Sequence, residues 1–343
     1  MRIARPTCAM GLLTAALCAP AFADYSTAPE TPALLKRLQH DYGFSKQDLN
    51  QVKVALADAK RLPQLVEREQ KAPEKTETWD VYARRIDDSR VQRGTEVLQE
   101  LQSAFAQAET EYGVPPAVIA GILGIETRYG RITGSVRVLD SLATQGFDHP
   151  TRNRFFMSEL VEFFAFCRDF GYDPKSPLGS YAGAMGAAQF MPSNYRRLSV
   201  DFDGDGKRDL WSLPDAIGSI ALYLTQYDPA RAWRRGEPLA VPATLTVAAL
   251  PAGTEINGRQ VRYTAGELKQ LGLTPSVELP AETPVGIVQL PLQDGSVEYW
   301  IGLANFYSVM TYNPRVFYGM AVTQLAQRIE QRVATLRTED PNR

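Results

Sequence analysis

Residues 117–125 read Ala-Val-Ile-Ala-Gly-Ile-Leu-Gly-Ile, an apolar run whose next residue is Glu126. Pro115-Pro116 precede the run, and a proline in the first turn of a helix gives up an N–H that has no partner there anyway. The run predicts a helix. It is shorter than the ~18–20 apolar residues that cross a bilayer, so it must be surrounded by protein. With 343 residues, 44% of them apolar, the chain has enough material for that, in two or three domains. Ile119, Ile122, Leu123 and Glu126 stand at i, i+3, i+4 and i+7, which puts the carboxylate on the stripe that faces a core. Burial disfavours a charged carboxylate and makes it a proton donor near neutral pH, able to protonate a glycosidic oxygen. The alternative at this point is a Glu that reaches past the helix end to pair with Arg128.

Helical spacing continues on both sides. Leu34, Leu35, Leu38, Leu49, Val52, Leu56, Leu62 and Leu65 mark a helical region from Pro32 to about Gln70. One helix is predicted over 95–112, on the stripe Val97, Leu98, Leu101 and Phe105, with others over 155–170 and 213–227. At about residue 236 the period changes. Pro, Thr, Val and Gly become frequent, and two apolar segments, 285–292 and 297–303, flank Gln293-Asp294-Gly295-Ser296, a hairpin signature. A β unit of about 60 residues is thus inserted between helices, and helix resumes after Tyr312. The fold class is mainly α, formally α+β.

Charge and compartment narrow the function. Thirty-seven Lys+Arg against 39 Asp+Glu leave a net charge of −2, which removes the basic footprint of a nucleic-acid binder. Arg2 and Arg5, the apolar stretch 10–17 and Ala21-Phe22-Ala23 have the order of a secretory signal, so residues 1–23 are expected to be removed from an exported, periplasmic protein. Cys18 follows Leu17 instead of a small residue, which argues against lipid anchoring. Export leaves Cys167 as the sole cysteine, inside an aromatic run where a buried thiol is the ordinary outcome. His40 and His149 are the only histidines, too few for a His-rich metal site. No transmembrane segment is expected.

Two further segments carry candidate chemistry. Gly179 to Pro192 is dense in small residues and lets backbone approach a ligand closely, with Ser180 and Gln189 able to bond sugar groups and Phe190 and Met191 offering apolar contact. Read without a ligand, it is a tight loop on close-packed helix. Tyr312, Asn313 and Tyr318 form a second polar-aromatic cluster. Asp201-Phe202-Asp203-Gly204-Asp205-Gly206 fits D-x-D-x-D-G, in which alternate carboxylates meet one calcium ion and Gly permits the turn. Lys207 would give its backbone carbonyl. Ser212 stands where a closing Glu is expected, and the next carboxylate is Asp215. An Asp-Gly-rich turn without metal is the alternative.

At Gly113-Val114-Pro115-Pro116, Gly124 to Gly130, Leu139 to Thr144, Gly179 to Pro192, Asp201 to Trp211 and Asn305 to Asn313 the chain resembles the lytic murein transglycosylase B family, which cleaves bacterial peptidoglycan. The resemblance spans about residues 75 to 330. It implies a lysozyme-like catalytic core over 113–235 and a calcium loop over 201–215. It further implies an N-terminal helical domain over 24–112, joined by the helix 315–343. A small β domain over 236–304 and a return to the cleft over 305–314 complete the arrangement.

The family's single catalytic acid/base carries onto Glu126. Carried over as substrate contacts are Tyr82, Arg152, Ser180, Gln189, Phe190, Met191, Tyr223, Tyr312, Asn313 and Tyr318. The calcium ligands are Asp201, Asp203, Asp205, Lys207 and, closing late, Asp215; the ion is expected to be structural, and no organic cofactor is implied. The chain departs from the family at Thr151-Arg152, Phe155 and Thr311. The expected reaction is non-hydrolytic cleavage between N-acetylmuramic acid and N-acetylglucosamine, giving 1,6-anhydromuramoyl ends. A hydrolytic muramidase and a non-catalytic peptidoglycan-binding protein are the alternatives.

Overall fold

In the computed structural model, residues 24–65 and 76–339 are described; the candidate signal at 1–23, the stretch 66–75 and residues 340–343 lie outside them. The helices follow the apolar spacing. They are α1 (Thr31–Tyr42), α2 (Lys46–Asp58), α3 (Trp79–Tyr82), α4 (Asp88–Glu100), α5 (Gln102–Tyr112) and α6 (Pro116–Thr127). After them come α7 (Val138–Asp148), α8 (Asn153–Phe170), α9 (Pro192–Leu198), α10 (Leu213–Gln226), α11 (Ala265–Gln270), α12 (Ala304–Val309) and α13 (Val316–Glu339). None of the described helices is long and apolar enough to cross a membrane.

Residues 95–112, read as one helix from the stripe, belong to two. Leu101 leaves the helical region at φ −117°, and the break lets α4 pack on α13 and α6 while α5 packs on α10 and α6. A straight helix cannot reach both sets of partners. Elsewhere capping sets the ends. Ser45 and Asp48 form a reciprocal capping box at the start of α2, and α1 ends at Gly43 in the left-handed region.

Helix α6 is buried round its whole girth, from Ala117 to Gly124, not along one stripe only. Gly124 permits this on one side. A Cβ there would fall 2.6 Å from the Tyr129 hydroxyl and 2.8 Å from Leu325 of α13, so no larger residue fits between α6 and its neighbours.

Strands β1 (Val136–Arg137) and β2 (Leu178–Gly179) form a short ladder of their own, and five antiparallel strands form the inserted sheet: β3 (Ala240–Leu245), β4 (Tyr263–Thr264), β5 (Leu273–Pro275), β6 (Pro284–Pro291) and β7 (Val297–Gly302), in the order β4-β6-β7-β3-β5. Strands β6 and β7 pair with Ile287 opposite Ile301 and Val288 opposite Trp300. Their turn contains Gly295 at φ +83°, the conformation the hairpin signature requires. One face of the sheet closes a small core with Leu268, Leu273, Ile287 and Ile301. The other sends Val288, Leu290 and Trp300 into the main helical core. Burial on both faces explains why β6 reads as a nearly continuous apolar run.

Candidate active site

Glu126 sits in the last turn of α6, where it is half-buried. The chain leaves this turn through three consecutive left-handed residues, Arg128 (φ 49°), Tyr129 (φ 60°) and Gly130 (φ 78°). Two of them carry side chains that disfavour that region, so the surroundings must hold the turn in place. They do so through the neighbours of Glu126. The Thr127 hydroxyl donates to the Ala187 carbonyl at 2.9 Å and accepts from Gly130 N–H at 2.9 Å. The Tyr129 hydroxyl donates to the Arg90 carbonyl on α4 at 2.8 Å. Thus Thr127 ties the acid to the small-residue segment and Tyr129 ties it to α4, two anchors that the motif contains and sequence spacing alone does not reveal.

The Glu126 carboxylate accepts a hydrogen bond from the Tyr318 hydroxyl at 2.7 Å. Arg128, the alternative partner, is exposed at the helix cap. Tyr318 is 2% exposed, and burial, followed by the nearby Glu126 charge, pushes its hydroxyl well above the ordinary tyrosine range. It therefore stays protonated and keeps donating. A hydrogen bond to a charged group contributes about 1.5–3 kcal/mol, so Tyr318→Phe is expected to lower kcat by roughly 10- to 100-fold. Steady-state rates on purified glycan strands check this, and an unchanged kcat removes Tyr318 from the machinery.

A cleft of about 370 Å³ opens over the acid, lined by Tyr82, Glu126, Asn313 and Tyr318, with Ile125, Arg85, Arg90 and Arg128 completing the wall. Four residues expected from the sequence are thereby brought together. Arg85, Arg90 and Ile125 were not anticipated, and Arg128 was read only as an ion-pair partner. Tyr82 is positioned by Trp79 and Phe317, at centroid distances of 6.1 and 5.5 Å, and by the Arg85 guanidinium 4.6 Å from its ring.

Phe190, Tyr223 and Tyr312 form one aromatic group, with the Tyr223 and Tyr312 rings 4.5 Å apart and Phe190 5.8 Å from Tyr312. Their hydroxyls are occupied by backbone: Tyr223 donates to Thr311 O at 2.9 Å and Tyr312 to Ala188 O at 2.8 Å. Burial, then the Glu126 charge, raises the Tyr312 hydroxyl well above its ordinary value. The group borders the acid electrostatically and does not line the cleft itself.

The remaining expected contacts are engaged with the protein. Gln189, itself left-handed at φ 51°, donates through Nε2 to Thr133 O at 3.0 Å and Gly186 O at 2.9 Å. The Ser180 hydroxyl accepts from Ala184 N–H at 3.1 Å. Both hold the shape of the small-residue segment. Within it the short strand Leu178–Gly179 pairs with Val136–Arg137. Gly134, at φ +103°, leaves only 2.0 Å between a built Cβ and the Gly179 carbonyl. Met191 caps α9 and packs half-buried on the main core. Arg152 is exposed at the start of α8, its guanidinium 5.0 Å from the Phe155 and Phe156 rings, away from the cleft wall.

In the acidic loop, Asp201, Asp203 and Asp215 each bring one carboxylate oxygen within 4.8 Å of the others. Asp205, expected as a ligand, falls outside that group of side-chain oxygens. Asp205 instead accepts from the Lys207 N–H at 2.8 Å, because a short acidic side chain readily closes a turn on the amide two residues on. Asp215 is buried and accepts from Phe202 and Asp209 N–H at 2.7 Å each. Burial raises its pKa, and the Asp203 charge adds to that against these bonds. Three hard oxygens sharing so small a space suit a hard divalent cation.

Residues 27–327 match the family described as Transglycosylase SLT domain. Membrane-bound lytic murein transglycosylase B of Escherichia coli K12 is 37% identical over 316 residues, covering 89% of this chain and 84% of that protein. Among solved structures, the catenated lytic transglycosylase SltB1 of Pseudomonas aeruginosa superposes with a TM-score of 0.81 at 37% identity, covering 90% of this chain and all of that one. The Escherichia coli lytic transglycosylase SLT35, solved with bulgecin A, gives 0.81 at 36% identity over 92% of this chain and 97% of that one. SLT35 has also been solved in complex with calcium. The helical core, the half-buried acid in its cleft and these matches define a lytic transglycosylase. The chain belongs to the lytic murein transglycosylase B family.

Proposed function

We propose that this protein cleaves peptidoglycan without water, using Glu126 first as acid and then as base. The protonated carboxyl gives its proton to the oxygen linking C1 of N-acetylmuramic acid to N-acetylglucosamine, and the C1–O bond breaks. The muramoyl O6 hydroxyl then bonds to C1 and passes its proton to the Glu126 carboxylate, which regenerates the acid. The product ends are 1,6-anhydromuramoyl. The substrate's acetamido group stabilises the developing cation at C1.

The observation that carries this reading is that Glu126 is the one carboxylate among the described residues lining the cleft. Glycoside hydrolysis by the usual route needs two, set about 5–9.5 Å apart. A single residue suffices when its two duties follow one another. Tyr318 holds the carboxyl, Tyr82 and Asn313 face the sugar, and the aromatic group of Phe190, Tyr223 and Tyr312 backs the acid. Arg152, Ser180, Gln189 and Met191 act at one remove, Ser180 and Gln189 by shaping the segment that carries Ala187. Mass spectrometry of digested strands tests the proposal: anhydro ends are expected, and reducing ends alone would replace it with a hydrolytic muramidase.

A calcium ion held by Asp201, Asp203 and Asp215 supplies structure, not chemistry, since it would fix the loop that enters α10. A ligand that binds only the folded state stabilises it by about 2.7 kcal/mol at one hundred times its Kd. Calcium is accordingly expected to raise Tm and a chelator to lower it, with Asp201→Asn erasing the difference. Scanning calorimetry of the wild type and this variant checks that. The site of action is the periplasm, reached by the export signal read at residues 1–23.

A further inference from the structure

Three arginines stand on the cleft wall beside Glu126, and only one has a carboxylate of its own. Arg85 makes a two-pronged pair with Glu77, at 2.6 and 3.0 Å. Among the described residues no carboxylate comes within 4.0 Å of the Arg90 or Arg128 guanidinium, and the only acid whose charge acts on both is Asp87. Arg90 is only 9% exposed, and its Nε is buried without a hydrogen-bond partner. Asp87, which caps α4, takes the Ser89 hydroxyl at 2.6 Å and the Arg90 amide at 2.8 Å on one carboxylate oxygen.

A buried guanidinium that lacks a close ion pair is costly, and the site adds to that cost. Arg128 lines the same cleft, and its charge, after burial itself, depresses the Arg90 pKa. Arg128 also occupies a left-handed position at φ 49°, which glycine or asparagine would take more readily. Two cations forced together at a cleft, one desolvated and one on a strained turn, make a receptor for an anion. Guanidinium groups match carboxylates in geometry as well as charge.

We infer that Arg90 and Arg128 form a carboxylate-binding subsite beside the acid, which reads a carboxylate borne by the muramoyl lactyl group of the substrate. This rests on the reading of the cleft as a peptidoglycan site. The glycan backbone itself is neutral, so the anion is either the free lactyl carboxylate of a stem-free strand or a carboxylate of the attached stem peptide. Both place negative charge on the muramoyl residue, next to the bond that Glu126 would cleave.

Three substrates separate the cases: strands with intact stems, strands stripped of stems so that the lactyl carboxylate is free, and stripped strands whose lactyl carboxylate is converted to its methylamide. For a lactyl carboxylate, the KM ratio of amidated to free strands is expected to be about ten or more in the wild type, the scale of one charge-assisted hydrogen bond. In Arg90→Gln and in Arg128→Asn that ratio falls toward one, while Arg90→Lys keeps most of it. For a stem carboxylate, free and amidated strands behave alike, and the preference for intact stems is what the two variants lose. Variants that change KM by the same factor on all three substrates, or on none, overturn the assignment. Should Arg90→Gln fail to fold, the exposed Arg128→Asn carries the test alone. Failure of the reading beneath it looks different, since the wild type would then release no anhydro ends from any of the three.

Discussion

Glu126→Gln is expected to reduce turnover of peptidoglycan strands by about 10⁴-fold or more while leaving glycan binding largely intact. General acid or base catalysis contributes roughly 10²–10⁴-fold, and here one residue performs both duties, with no second carboxylate on the described cleft wall to take over either. The amide keeps the shape of the side chain and can still accept from Tyr318, whose hydroxyl now meets Oε1 at 2.7 Å. Binding should therefore survive. Counting anhydro ends by mass spectrometry gives the rate, and co-sedimentation with sacculi gives the binding. A variant that retains more than about a hundredth of the wild-type rate would mean that another group supplies the proton.

The second large effect concerns stability. Asp215→Ala is expected to cost about 3 kcal/mol or more, even in the presence of a chelator. The carboxylate is 1% exposed and accepts from the amides of Phe202 and Asp209. Each hydrogen bond to a charged acceptor contributes about 1.5–3 kcal/mol, and losing the acceptor leaves two amides unpaired. Phe202 amplifies the damage, since its ring lies 2.3 Å from where a Cβ on Gly218 of α10 would be and so packs tightly against that helix. Denaturant titration with chelator present isolates this contribution from the metal's. If Asp215→Ala and Asp201→Asn behave alike there, Asp215 has no structural duty apart from the ion.

Much of this architecture is legible from spacing. The apolar run that ends in Glu126 fixes a central helix and an inward-facing acid, and Asp294-Gly295 identifies the β6–β7 turn, because both signals are local. What is not local stays hidden. Arg90 belongs to a charged helix, α4, and reads as one of its solvated residues, yet the Tyr129 bond to its carbonyl draws that turn against α6. Tyr318 can be grouped with Tyr312 by sequence proximity, but its contact with an acid 192 residues away depends on how α13 docks. The break at Leu101 escapes notice for the same reason, since the apolar stripe runs through it unbroken. Gln189 and Ser180 have the chemistry of sugar contacts, and only the coordinates reveal that their polar atoms already serve the backbone. Asp205 fits the acidic pattern in the chain and misses the convergence in space.

The docking of α13 on α6 has a consequence for timing. On the proposed mechanism the proton donor is in place by residue 126, but the hydroxyl that bonds to it arrives only with residue 318, after the inserted sheet has been made. A nascent or truncated chain that stops before that helix thus carries an incomplete catalyst. On that mechanism full cleaving power comes only once the whole fold has closed, a built-in delay for an enzyme whose substrate holds the cell together.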